Sequence, residues 1–135
     1  MATSGLSIGE FTEGQNNPDT TINNALNTLD GAIVVPLVHD MASDADYTLA
    51  TTGDYPREWQ RLIIKITDTG TNLTTGRNII VPNNVRAYAF INATAQTLTL
   101  KRSAGTGTAV AASRWALLYC DGTNVDRLTS DATIT

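Results

Sequence analysis

This chain of 135 residues has no lysine or arginine before Arg57, although eight of its 13 acidic residues fall in that stretch: Glu10, Glu13, Asp19, Asp30, Asp40, Asp44, Asp46 and Asp54. The first 56 residues therefore sum to −8 and the remaining 79 to +4, around a formal total of −4. The concentrated basic stripe that neutralises nucleic-acid phosphates is missing, so no nucleic acid is expected as a partner. Only one cysteine, Cys120, is present, which excludes an intrachain disulfide and a cysteine metal cluster. It ends an apolar run and reads as a small buried hydrophobe. No run approaches the roughly 18 to 20 apolar residues of a membrane-spanning helix, so no membrane partner is expected. The start, MATSGLSIGEFTEG, lacks the basic residues and apolar stretch of a secretory signal.

What is abundant is threonine, 22 of 135, in a chain with 41% hydrophobic residues, a globular composition that leans towards strands. At this length a single domain is expected, burying roughly two thirds of the unfolded chain's surface. Residues 1–31 read differently from the rest. Up to Pro18 they form a polar, glycine-containing arm whose only apolar anchors are Leu6, Ile8 and Phe11. Ile22, Ala25, Leu26 and Leu29 then recur at i, i+3, i+4 and i+7, one stripe of a short helix with Asp19 or Thr20 as N-cap and Gly31 at the C-cap position. An arm without a core and a helix this short need a partner surface.

Residues 32–135 alternate short strand patterns with turn clusters. The strands expected are 32–38, 47–50, 62–67, 78–81, 87–92, 97–101, 108–111, 115–120 and 125–128. Pro36 places the first at an edge or breaks it. Strands at this spacing with no intervening helices predict a mainly β chain, a β-sandwich or jelly-roll-like domain.

Chemistry-bearing patterns are sparse. His39 and Asp40 are adjacent, but neighbours on a strand face opposite ways and no nucleophile elbow accompanies them. An EF-hand begun at Asp44 would need Gly and Glu where Leu49 and Tyr55 stand, leaving only an irregular Ca²⁺ site or a solvated acidic loop. Gly105-Thr106-Gly107-Thr108 has no following lysine at phosphate-loop spacing and reads as a hairpin turn. The sequons at Asn72 and Asn92 carry no consequence without secretion. Tyr47, Tyr55 and Trp59 could form a sugar-stacking platform, which would make the chain a carbohydrate-binding module. No catalytic residue, metal ligand or cofactor site is expected.

Two stretches resemble structural proteins of tailed bacteriophages. Leu6-x-Ile8-x-Glu10-x-x-x-Gly14-Gln15-Asn16 with Thr21-x-Asn23-x-Ala25-Leu26-x-x-Leu29-Asp30 is similar to the N-terminal segment of fibre and decoration components. The stretch from Leu98-x-Leu100-Lys101 through Gly105-Thr106-Gly107-Thr108 to Ala116–Val125 is similar to a β-module near the ends of virion-surface proteins. The resemblance implies a non-enzymatic virion protein, a homotrimer made in the host cytoplasm and displayed on the particle. Its N-terminus would dock on the major capsid protein, or on a tail- or portal-proximal structural protein, and its β-domain would face outward. With no heptad stalk and no internal sequence repeat, a capsid decoration or cement protein fits better than a short tail or head fibre, or a baseplate adaptor contacting the host receptor or a host surface glycan. The docking residues expected are Leu6, Ile8, Phe11, Ile22, Ala25, Leu26 and Leu29.

Overall fold

A computed structural model describes residues 18–134; Leu6, Ile8 and Phe11 of the expected docking arm lie outside the described residues. The chain begins there with α1 (Pro18–Val34) and continues through ten strands, β1 (Leu37–Asp40), β2 (Tyr47–Thr48), β3 (Ile63–Thr67), β4 (Arg77–Val81), β5 (Arg86–Asn92), β6 (Leu98–Arg102), β7 (Thr108–Val110), β8 (Arg114–Cys120), β9 (Val125–Arg127) and β10 (Ala132–Thr133). The expectation of a mainly β chain with one preceding helix is met. Strand placement follows the sequence pattern with three departures: β10 had no expected counterpart, β1 lies at Leu37–Asp40 where 32–38 was expected, and residues 32–34 belong to α1, which runs on to Val34. Gly31 therefore does not cap the helix. Val35 N still donates to Gly31 O, and Pro36 ends the helix because it disfavours helical backbone at the residue before it.

Two sheets face each other across one core. The first has the order β1-β3-β5-β8-β10, with β9 also on β8, and the second β2-β4-β6-β7. Pairing is parallel for β1·β3, β3·β5, β2·β4 and β4·β6, and antiparallel where β8, β9, β10 and β7 close the stack. A jelly roll is antiparallel throughout, so the sandwich part of the expectation stands and the jelly-roll part does not. The chain alternates between sheets, β1 to β2, β3 to β4, β5 to β6, winding three stacked coils before the antiparallel cap. Each parallel strand reaches its neighbour by crossing the other sheet, which replaces the crossover helix such pairs ordinarily need.

The coils carry a spatial repeat that the sequence hides. In the first sheet Leu37 pairs with Ile64 and Ile64 with Phe90, steps of 27 and 26 residues. In the second, Tyr47 pairs with Ile79 and Ile79 with Leu100, steps of 32 and 21. Unequal loops destroy the fixed period while the inward rows stay in register. Those rows make the core: Ile64, Ile66, Tyr88, Phe90, Ala116, Leu118 and Cys120 from one sheet meet Ile79, Val81, Leu98, Leu100 and Val110 from the other. The cysteine is buried there, as expected.

Candidate functional site

Helix α1 is turned the opposite way from an ordinary amphipathic helix. Its inner face is made of small and polar residues: Thr28, Gly31 and Ala32 are buried, with Asn24 and Ala25 half-buried. That face lies against the loop before β3. Leu62 N donates to Ala32 O at 2.7 Å, and a Cβ added at Gly31 would sit 2.2 Å from Pro56 Cγ. Thr28 Oγ1 donates back to Asn24 O at 2.7 Å, satisfying its hydroxyl inside the contact. The large apolar residues point away from the body: Ile22 is 43% exposed, Leu26 58%, Leu29 41% and Ile33 64%. They form one stripe at i, i+4, i+7 and i+11, flanked by exposed Asp19 and Asp30 with no basic residue on the helix. Of the expected docking residues, Ile22, Leu26 and Leu29 are thus displayed together, and Ala25 belongs to the inner flank. Ile33 extends the stripe past the helix end expected at Gly31, because the helix runs on to Val34 and stops only before Pro36.

The acidic residues of the first coil fasten it to the second. Asp40 accepts from Thr67 Oγ1 (2.7 Å), Thr69 N (2.9 Å) and Thr69 Oγ1 (2.7 Å). Asp44 accepts from Thr74 N and Thr74 Oγ1 and pairs with Arg77 Nε at 2.9 Å. Asp46 accepts from Asn78 N and Nδ2. The Arg77 guanidinium and the Thr74 hydroxyl hold the Asp44 carboxyl far below the usual range, while backbone and side-chain donors of Thr69 and Asn78 lower Asp40 and Asp46. The acidic loop is not merely solvated: its carboxylate oxygens accept from the neighbouring turn. Among the described residues, no three His, Cys, Asp or Glu side chains converge as metal ligands would.

The aromatic trio expected as a sugar platform is dispersed. Trp59, in the short 3₁₀ turn Glu58–Gln60, is 4% exposed and belongs to the core. Tyr47 stacks on His39 with ring centroids 3.6 Å apart, and its hydroxyl donates to Glu58; burial and that carboxylate push the phenol up to about 12. Tyr55 carries the Arg57 guanidinium 4.6 Å from its ring centroid and lines a small cleft with Thr21, Asn24 and Thr28. With Trp59 buried, the three rings do not make a common exposed platform. His39 is thus a stacking residue that roofs the first coil with Tyr47, and Asp40 points the other way.

Other motif-like patterns are also structural. Gly105-Thr106-Gly107 is the turn joining antiparallel β6 and β7, with Gly105 at φ +97° beside Thr123 O. Asn92 is wholly buried: Nδ2 donates to Gln96 O, Val110 O and Ala111 O, and Oδ1 accepts from Thr94 N and Thr94 Oγ1. Asn72 Nδ2 donates to Met41 O. Both sequon amides are spent on internal hydrogen bonds.

No helix among the described residues is long and apolar enough to cross a membrane. Compared with known protein families, with curated proteins and with solved structures, this chain has no match.

Proposed function

We propose that this chain is a structural protein of a tailed-phage virion, a homo-oligomeric capsid decoration or cement protein that docks through its N-terminal region and presents the coiled β-domain on the particle. The observation carrying this reading is the outward apolar stripe of α1. Leaving Ile22, Leu26, Leu29 and Ile33 in water forgoes on the order of 1 kcal/mol for each side chain. A helix that spends its small face on its own domain and displays its large one has its energetic partner elsewhere. Asp19 and Asp30 beside the stripe support a partner with an apolar groove and a basic rim. Several copies attached to one particle would turn a modest contact into avid binding.

The carboxylates of the first coil are occupied, the aromatics are dispersed, and neither supports an enzyme or a glycan-stacking site. A fibre or baseplate adaptor that docks by the same helix is the second reading, favoured by the stacked coils, which are an extensible architecture. Co-sedimentation with particles tests the docking. Leu26→Glu should abolish it while circular dichroism stays unchanged, because Leu26 contributes little to the monomer. A Leu26→Glu protein that still pellets with particles would overturn the reading. Labelling on capsid facets supports cement, and labelling at the tail supports the fibre.

A further inference from the structure

We infer that copies of this chain bind one another through the outer face of the six-stranded sheet. The face is on the opposite side of that sheet from the core and is separate from the α1 stripe, so the inference goes beyond particle docking. Strand register places its side chains in three rows. Val38, Lys65, Ile91, Trp115 and Ala132 form the first. Ile63, Ala89 and Leu117 form the second, extended by Leu128, whose N–H donates to Leu117 O at 2.9 Å. Ala87, Tyr119 and Asp126 form the third. Val38 is 59% exposed, Leu128 60%, Trp115 39%, Tyr119 37% and Leu117 36%. A sheet with water on one side alternates apolar-in with polar-out. Here β5 and β8 are apolar on both faces, the pattern of strands covered on both sides.

The occupant is a second copy for three reasons. The first is relief: β8 raises a ridge of Trp115, Leu117 and Tyr119 beside a trough floored by Ala87 and Ala89 on β5, so one face offers both the knob and the hole that an identical face needs. The second is charge. Within the three rows the charged side chains are Lys65 and Asp126, which lie on strands on either side of the β5–β8 pair and in different rows. Two such faces, one turned end for end, set unlike charges together, as a self-complementary two-fold contact requires. The third is size. Five strands about 4.8 Å apart and about 20 Å long give on the order of 500 Å² in plan, and more once side-chain relief is counted. That approaches the roughly 800 Å² which a stable interface takes from each partner. Beyond the first row the face turns polar at Asp40 and Thr67, which bond to each other. An apolar centre with a polar rim is the anatomy of a protein interface.

Sedimentation velocity on the full chain tests this. The wild-type protein should sediment as a dimer of the chain. Leu117→Lys should weaken self-association about 100-fold or more, to the single-chain mass, with unchanged circular dichroism. Leu26→Glu, on the helix, should leave the oligomer intact, which separates this interface from the docking surface. Lys65→Glu should weaken the contact, and adding Asp126→Lys should restore it. A trimer would overturn the inference, because a self-complementary two-fold contact closes as a dimer. A wild-type chain that stays monomeric at the highest concentration at which it is soluble, or an oligomer indifferent to Leu117→Lys, would overturn the inference.

Discussion

Asn92 shows how much one buried amide can organise. Its five hydrogen bonds tie the end of β5 to the turn before β6 and to the end of β7. Replacing it by alanine removes the Nδ2 donor to Val110 O and Ala111 O and the Oδ1 acceptor of Thr94 N, while Gln96 O keeps the Thr94 hydroxyl, so Asn92→Ala should cost about 2 to 4 kcal/mol of unfolding free energy. Urea denaturation measures this, and a loss under about 1 kcal/mol would contradict it. The first-coil aspartates act with pH. Their folded values are lowered, so the stability they contribute is present above the unfolded carboxylate value of about 3.9 and is lost as pH falls through the lower folded values. Thermal midpoints should be level above about pH 5 and drop below about pH 4. Asp44→Asn should lower the midpoint at neutral pH and flatten the acid limb; a wild-type midpoint unmoved by acid would contradict the assignment. At this scale the sequence was informative about identity and silent about purpose. Asp40, Asp44 and Asp46 looked like a solvated run because their partners, Thr69, Thr74 and Asn78, lie about 30 residues away and meet them only when the second coil stacks on the first.

Among the elements, α1 is the one whose meaning changed most. Its stripe was legible as i, i+3, i+4, i+7 spacing, and its length was misread at Gly31. That glycine serves close approach to Pro56 and leaves no room for a methyl group. Intrinsic helix propensity would favour Gly31→Ala by about 1 kcal/mol, but overpacking against a rigid proline ring costs about 1 to 3 kcal/mol. The variant should therefore be no more stable than wild type and should loosen the helix from the body, read as faster amide exchange across 24–32. A clear gain in melting temperature would refute the contact. The strands were legible because Leu98-Thr99-Leu100 alternates cleanly and Trp115–Cys120 is a short apolar run bounded by turn residues, and Leu98, Leu100, Ala116 and Leu118 do face the core. Their pairing was not legible. Alternation gives the faces of a strand but not its neighbour, and coil steps of 27, 26, 32 and 21 residues erase the periodicity that would announce stacked coils.

For the whole molecule, the charge asymmetry resolves into two parts. Asp40, Asp44 and Asp46 are bonded within the chain, whereas Asp19 and Asp30 stand exposed beside the apolar stripe of α1. Docking should accordingly be apolar in its main contribution and electrostatic at its rim. Raising salt from about 50 mM to about 500 mM should weaken attachment a few-fold without abolishing it. Complete release by salt would assign the contact to charge instead of to Ile22, Leu26, Leu29 and Ile33. On the proposed reading, the two apolar surfaces exposed among the described residues, helix stripe and sheet face, would serve one contact with the particle and one with other copies of the chain. The proposed assembly role is tested most directly by electron microscopy of phage particles from the chain's own source labelled with an antibody to the β-domain. The account predicts regular labelling at fixed positions on the capsid surface. Unlabelled particles, with the protein left free in the lysate, would contradict it.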